Sequence, residues 1–222
     1  ASFLAGVLDE GAGPYDSAAF HDRLDDYAIE LGFSASRDLI TGHLRTLSKH
    51  RAEAFDMLRL AINEARFDEE PVERVRAQML ASLRHEVNDP DTCANRAWFE
   101  NAFAGHAYAR PVKGTFESVP AITREHIIAY RDQIFARDTL KLAVVGAIDA
   151  ATLARELDQI FGTLPAKARL TEIGLTRPKN VGTRKIIDLD IPQSSIRYGA
   201  KGLATDDPDF IIAGVVNHIL GG

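Results

Sequence analysis

Apolar residues recur at helical spacing along most of the chain, and glycine, proline or a polar capping residue borders most of these runs. The first run covers residues 2–11. Phe3, Leu4, Val7 and Leu8 fall on one face of it, and Gly11 suits the left-handed position that closes a helix. The pattern therefore predicts a short buried helix at the start of the chain.

The same periodicity predicts seven further helices. Their buried stripes are separated by capping and breaking residues such as Asp16 or Ser17, Gly32, Pro90 and Gly162. The helix that ends at residue 135 begins after either Ser118 or Thr123. The other predicted helices are 17–31, 48–65, 68–87, 91–103, 149–161 and 209–220.

A second pattern, alternating or continuously apolar, predicts strands. Residues 33–37 and 39–47 read as two strands joined near Asp38. Residues 140–146 are almost continuously apolar, which is typical of a central strand. Residues 184–190 and 194–199 alternate as two more strands. Since helices dominate, the predicted class is α+β, with a sheet covered on one face by helices.

Between residues 164 and 183 neither the helical nor the alternating apolar pattern is present, and prolines and glycines lie among charged residues. We interpret this segment as a linker between a first domain, 1–163, and the start of a second, 184–222. Residues 3–8 and 211–216 are both apolar helical stretches with Ala-Gly inside. This short similarity is consistent with two related domains.

Composition narrows the function classes. The 222 residues carry a formal net charge of -6, which argues against a nucleic-acid surface. The single cysteine, Cys93, cannot build a disulfide framework and is expected to be a packed apolar residue. No run approaches the roughly 18 apolar residues that a membrane helix needs.

Local motifs for chemistry are weak. His21 lies beside Asp22, Asp25 and Asp26, which is more typical of a solvated helix face than of a metal site. His106 and Arg110 are interpreted as residues that tie down a loop rather than as catalytic groups. Among the seven histidines, no two are spaced i,i+4 on one predicted helix.

Five stretches, in order and spacing, resemble the pitrilysin/insulinase family of zinc peptidases. They are residues 8–13, 66–68, 106–115, 143–146 and 217–222. Within that family the chain is most similar to the two-subunit bacterial and mitochondrial-processing-peptidase branch. The resemblance implies two related α+β domains, of which the first strands of domain one and most of domain two are expected to lie outside this chain.

The resemblance also predicts the loss of chemistry. Active members carry His-x-x-Glu-His on the opening helix, with two zinc ligands and a general base. The matching positions here hold Ser2, Ala5 and Gly6, and the third ligand, a glutamate, falls near Ala81 or Ser82. We therefore expect no zinc, no other cofactor and no catalysis by this chain.

By the same resemblance, the chain is expected to be the inactive partner of a catalytic zinc-peptidase homologue. The heterodimer would enclose unfolded peptides, with no nucleic acid and no membrane span involved. Peptide contacts carry over to Ser34 and Ala35, where the family adds substrate to an edge strand, and to Gly221 and Gly222, the start of a glycine-rich loop. Bacterial relatives of this kind imply a periplasmic location.

Two other interpretations stay open at this point. The chain could be a structural or peptide-binding module of the same fold with no peptidase partner. Alternatively, it could be a peptidase with a site that its motifs do not reveal.

Overall fold

The computed structural model describes residues 1–221 as a mixed α+β chain. Within that range are eight α-helices and one antiparallel pair of strands. The helices are α1 (Ser2–Ala5), α2 (Ser17–Asp26), α3 (Arg51–Asn63), α4 (Glu69–Glu86), α5 (Pro90–Ala102), α6 (Arg124–Ile134), α7 (Ala150–Phe161) and α8 (Phe210–Ile219); the strands are β1 (Glu30–Ala35) and β2 (Ile40–Arg45). The predicted α+β class is confirmed.

Helix starts follow the polar caps. Asp16, Thr123 and Asp149 each accept a hydrogen bond from a backbone N–H in the first turn of α2, α6 and α7. Asp89 caps α5, with Pro90 at its first position, so this helix begins slightly earlier than predicted.

Contacts divide the described residues into two compact units, 1–87 with 111–172, and 88–110 with 173–221. The predicted domain boundaries and linker stay predictions. In the first unit, Phe3, Leu4, Val7 and Leu8 of the opening segment are buried, as their shared face predicts. They pack against residues from α4 and α6 and from the loops before these helices, including Phe67, Val72, Val75, Val119 and Ile127.

A second cluster lies between α2, α3 and the hairpin. Phe20, Leu24, Met57 and Leu60 are buried there. Phe33 of β1 packs against this cluster, against the α1 cluster and against a third cluster around Ile62, Ile160 and Phe161. The hairpin therefore joins the core of the unit.

In the second unit, α5 buries Cys93 and Ala97, as expected for a packed cysteine. Its aromatic residues Trp98 and Phe99 stack edge-to-face, with ring centroids 5.0 Å apart. Helix α8 also belongs to this unit, and its apolar residues are exposed.

Three predicted strands are not strands. Residues 140–146, 184–190 and 194–199 are extended or irregular in the structure. A strand requires a hydrogen-bonded neighbour. Within residues 1–221 the sheet contains β1 and β2 alone. Val145 and Ile196 are accordingly exposed.

The predicted ends of two helices were also wrong. Helix α2 stops at Asp26, and Ala28 adopts a positive φ of 49°, so the chain turns into β1 before the predicted end at 31. Gly32, predicted to stop the helix, lies inside β1 opposite His43. Helix α1 ends at Ala5, and turns continue to Asp9.

Candidate functional site

The positions that resemblance assigns to the zinc motif lie on α1, in the core of the first unit. Ser2 is partly buried, and its hydroxyl donates to the carbonyl of Val112 at 2.8 Å. Ala5 is 3% exposed and carries no donor atom. The side chains of α1 are thus used for packing and for a loop contact.

Helix α4 approaches α1 closely at Gly6. A Cβ atom at Gly6 would lie 3.2 Å from Cγ1 of Val75, which is tighter than ordinary van der Waals contact. One residue along α4, the guanidinium of Arg76 lies 5.1 Å from the centroid of the Phe3 ring. A histidine at position 6 would therefore require Val75 to move.

The predicted third-ligand position is also engaged. Ser82 donates to Glu86 one turn later at 3.2 Å, and it accepts a hydrogen bond from the ammonium of Lys113, also at 3.2 Å. Lys113 forms an ion pair with Glu86 as well. Ser82 is therefore hydrogen-bonded to an anion and a cation of the protein itself.

These side chains do not fit a zinc ion of the family type. Zinc sites use histidine, cysteine or carboxylate ligands, and three of them come from the protein in a catalytic site. Ser2, Ala5 and Gly6 supply none. Across residues 1–221, no group of three or more His, Cys, Asp or Glu side chains is placed to hold a metal ion. The assignment of these positions to the zinc motif stays a prediction.

An ion-pair cluster at the end of the opening segment was not predicted from the sequence. Glu10 accepts hydrogen bonds from Arg74 of α4 and from Ser17 of α2, and His21 approaches it at 3.6 Å. Glu10 and Arg74 are 64 positions apart, so no local sequence pattern indicates that they pair. The cluster ties α1 to α2 and α4.

The two carboxyls of this segment titrate in opposite directions. Burial would raise the pKa of Glu10, but the hydrogen bonds from Arg74 and Ser17 outweigh it and hold that pKa below its ordinary value. Burial raises the pKa of the neighbouring Asp9, and the charge of Glu10 adds to the rise. The cluster is arranged as a salt bridge that stabilises the fold.

The candidate peptide contacts lie at the end of β1. Ser34 pairs with Thr41 and Ala35 with Ile40 in the antiparallel register. Ser34 is exposed. Because the described sheet contains two strands, each of them has a hydrogen-bonded neighbour on one side only. A peptide strand has backbone groups to pair with at such an edge.

The predicted glycine contacts lie at the end of the chain. Gly221 follows α8 with a positive φ of 108°, and nothing lies within 4 Å of where its Cβ would be. This conformation favours glycine. Gly222 lies outside the described residues.

His106 ties down a loop, as interpreted from the sequence. Its Nδ1 accepts from the backbone N–H of Tyr108 at 3.2 Å, so Nε2 carries the proton and donates to the carbonyl of Gly174 at 3.1 Å. Its ring contacts Tyr108 edge-to-face. Both ring nitrogens are used within the second unit.

An open groove in the first unit is lined in part by Phe67, Glu73, Arg76, Ile122 and Arg124. The two arginines that line it donate hydrogen bonds to backbone carbonyls. Arg76 donates to the carbonyl of Ile122 at 2.7 Å, and Arg124 donates to that of Phe67 at 3.0 Å. They hold two loops in place, so the groove is a packing feature.

No helix within residues 1–221 is long and apolar enough to cross a membrane.

Comparisons with known proteins bear on the resemblance. Residues 121–222, which span α6 to α8, match the family model described as the peptidase M16 inactive domain. A probable mitochondrial-processing peptidase subunit beta of Arabidopsis thaliana is 22% identical over 100% of this chain and 42% of its own length. The non-peptidase homolog YmxG of Helicobacter pylori is 24% identical over 100% of this chain and 51% of its own length. The chain thus spans about half the length of these relatives.

Solved structures share the fold. The peptidase M16 inactive domain from Pseudomonas fluorescens superposes with a TM-score of 0.73 at 23% identity, covering 78% of this chain and 42% of that one. Pitrilysin gives a TM-score of 0.66 at 19% identity, covering 79% of this chain and 19% of that one. The predicted resemblance to the M16 peptidases, the pitrilysin/insulinase family, is confirmed.

Proposed function

We propose that this chain is part of a catalytically inactive subunit of a heteromeric zinc metallopeptidase. Its partner is a zinc-bearing homologue, and together they enclose and bind unfolded peptides. The observation that carries the proposal is the state of α1. The positions matched to the zinc motif hold Ser2, Ala5 and Gly6. The hydroxyl of Ser2 donates to the carbonyl of Val112, and Gly6 packs against Val75. A subunit without ligands cannot activate water at zinc.

Two comparisons support the inactive assignment. The matching family model is described as an inactive domain, and the Helicobacter pylori relative is named a non-peptidase homolog. The similarity to a processing-peptidase subunit supports a peptidase partner. Retention of the buried α1 without its chemistry is what a subunit kept for its shape would be expected to show.

Peptide binding is assigned to the outer edge of β1 around Ser34 and Ala35, and to Gly221 with Gly222. Ser34 is exposed at the end of a strand in a two-stranded sheet, which suits addition of an extended peptide by backbone hydrogen bonds. The proposed location is the periplasm, by resemblance to bacterial relatives.

The test is purification of the tagged protein from its own cells, with its partners identified by mass spectrometry. We expect a homologue with an intact His-x-x-Glu-His motif at near-equal amount. A matched control carries the same tag on an unrelated protein of that compartment. Recovery in a stable assembly that holds no such homologue would contradict the proposal and favour a structural or peptide-binding module of the same fold.

A further inference from the structure

Two consecutive residues of one loop are hydrogen-bonded to two different helices. The carbonyl of Val112 accepts from Ser2 of α1 at 2.8 Å. The ammonium of Lys113 donates to Ser82 of α4 at 3.2 Å and forms an ion pair with Glu86 of the same helix. The contacts span 110 positions in the first case and 31 in the second, so they are tertiary contacts.

The far side of this loop is held by local hydrogen bonds. Gly114 has a φ of 84°, and a Cβ there would lie 2.9 Å from the hydroxyl of Ser118. Thr115 and Ser118 close a turn, in which the N–H of Thr115 donates to the Ser118 hydroxyl at 2.8 Å. Arg76 of α4 then holds the carbonyl of Ile122. Residues 112 and 113 are therefore presented from a defined backbone.

The groups that hold this loop differ from a metal site. On α4 they are the hydroxyl of Ser82 and the carboxylate of Glu86, with the positive charge supplied by Lys113. On α1 the hydroxyl of Ser2 donates to a backbone carbonyl. Hydroxyls and one carboxylate are a poor donor set for zinc, and an ammonium competes for the same oxygens. The side chain of Glu86 is 21% exposed and that of Lys113 is 52% exposed, so the ion pair is partly screened.

We propose that Ser2, Ser82, Glu86 and Lys113 form a metal-independent clamp that holds loop 111–115 against α1 and α4. The ammonium of Lys113 provides the cation of this cluster. In this chain the loop and the two helices are then joined without any metal ion. The clamp does not depend on pairing with a peptidase, so its test is separate from that of the proposed function.

Hydrogen exchange measured by mass spectrometry tests the clamp. Lys113→Met keeps the aliphatic stem and removes the ammonium, and Ser2→Ala removes the hydroxyl. Each is expected to speed exchange of the amides at residues 112–115 by about 2–5-fold, the size of a partly exposed polar contact. Lys167→Met is the matched control, an exposed lysine of the same unit, and should leave these amides unchanged.

A second readout separates the clamp from a hidden metal site. The wild-type protein is expected to bind no stoichiometric zinc by elemental analysis, and neither chelator nor added zinc should change its melting temperature. Unchanged exchange at 112–115 in both variants would overturn the clamp. So would one bound zinc ion per chain that raises the melting temperature and is lost in Ser2→Ala.

Discussion

Arg74 donates hydrogen bonds to the carboxylate of Glu10 from both terminal guanidinium nitrogens. Its Nη1 lies 3.1 Å from Oε1, and its Nη2 lies 2.6 Å from Oε2. The side chain of Glu10 is 12% exposed, so its charge is mostly removed from water. A bidentate arginine–carboxylate pair is among the stronger polar contacts of proteins. It joins the end of the opening segment to α4.

Removing the carboxylate should destabilise the first unit. For Glu10→Gln we expect a loss of about 1–3 kcal/mol in the free energy of unfolding at pH 7, since charged hydrogen bonds are lost while Arg74 is only partly solvated. Urea unfolding checks this value. Glu70→Gln is the matched control: Glu70 contacts the same arginine at 3.4 Å but is 76% exposed, and about 0.5 kcal/mol or less is expected. Equal losses in the two variants would contradict the assignment.

The contribution of Glu10 should depend on pH in one direction. Its pKa is lowered in the folded protein, so the stabilisation is complete above the ordinary glutamate pKa of about 4.3 and is lost as the pH falls through the lower folded value. The difference in unfolding free energy between wild type and Glu10→Gln should therefore shrink as the pH falls below about 4.3. A difference that grows as the pH falls below that value would show that the sign is wrong.

Asn63 links the end of α3 to the end of α7. Its amide nitrogen donates to the carbonyls of Arg59 at 2.9 Å and Ile160 at 2.8 Å, and its oxygen accepts from Thr163 at 2.7 Å. Asn63→Ala should cost about 1–3 kcal/mol, because a partly buried carbonyl loses its donor. Thr163→Val removes one of the three bonds and should cost less, about 0.5–1 kcal/mol, by the same thermal or urea measurement.

Lys179 anchors residues 173–183 to the end of α5. Its backbone N–H donates to the carbonyl of Ala102 at 2.6 Å, and its ammonium donates to that of Ala104 at 2.9 Å. A cation at a helix C-terminus is favoured by the helix dipole. Lys179→Met should speed amide exchange in residues 173–183 by about 2–5-fold, which corresponds to roughly 0.5–1 kcal/mol. Lys185→Met, a nearby exposed lysine, should not; no change in either variant would mean that the ammonium contributes nothing.

The sequence alone predicts those features of the structure that depend on the local pattern of residues. The structure contains the buried face of residues 3–8, the caps at Asp16 and Asp149, and the contact of His106 with Tyr108, because each depends on neighbours within a few residues. The match of Ser2, Ala5 and Gly6 to the zinc motif is a prediction from the resemblance, since the local pattern by itself shows only an apolar helix.

What depended on distant partners could not be predicted. The apolar run at residues 140–146 fits a strand, but a strand forms only beside another, and no neighbour pairs with it within residues 1–221. Glu10 with Arg74 and Lys113 with Glu86 are equally invisible, since each pair is separated by more than 25 positions. The contacts of Ser2 with Val112, of Gly6 with Val75 and of Ser82 with Lys113 are visible only in the structure.

The most direct measurement is hydrolysis of a mixed library of quenched fluorescent peptides in the presence of zinc. The protein is assayed alone, and then together with a co-produced homologue from the same cell that carries His-x-x-Glu-His. We expect no hydrolysis by the protein alone, and hydrolysis by the mixture that exceeds that of the homologue alone. Chelator-sensitive hydrolysis by the protein alone, absent from a mock preparation, would contradict it.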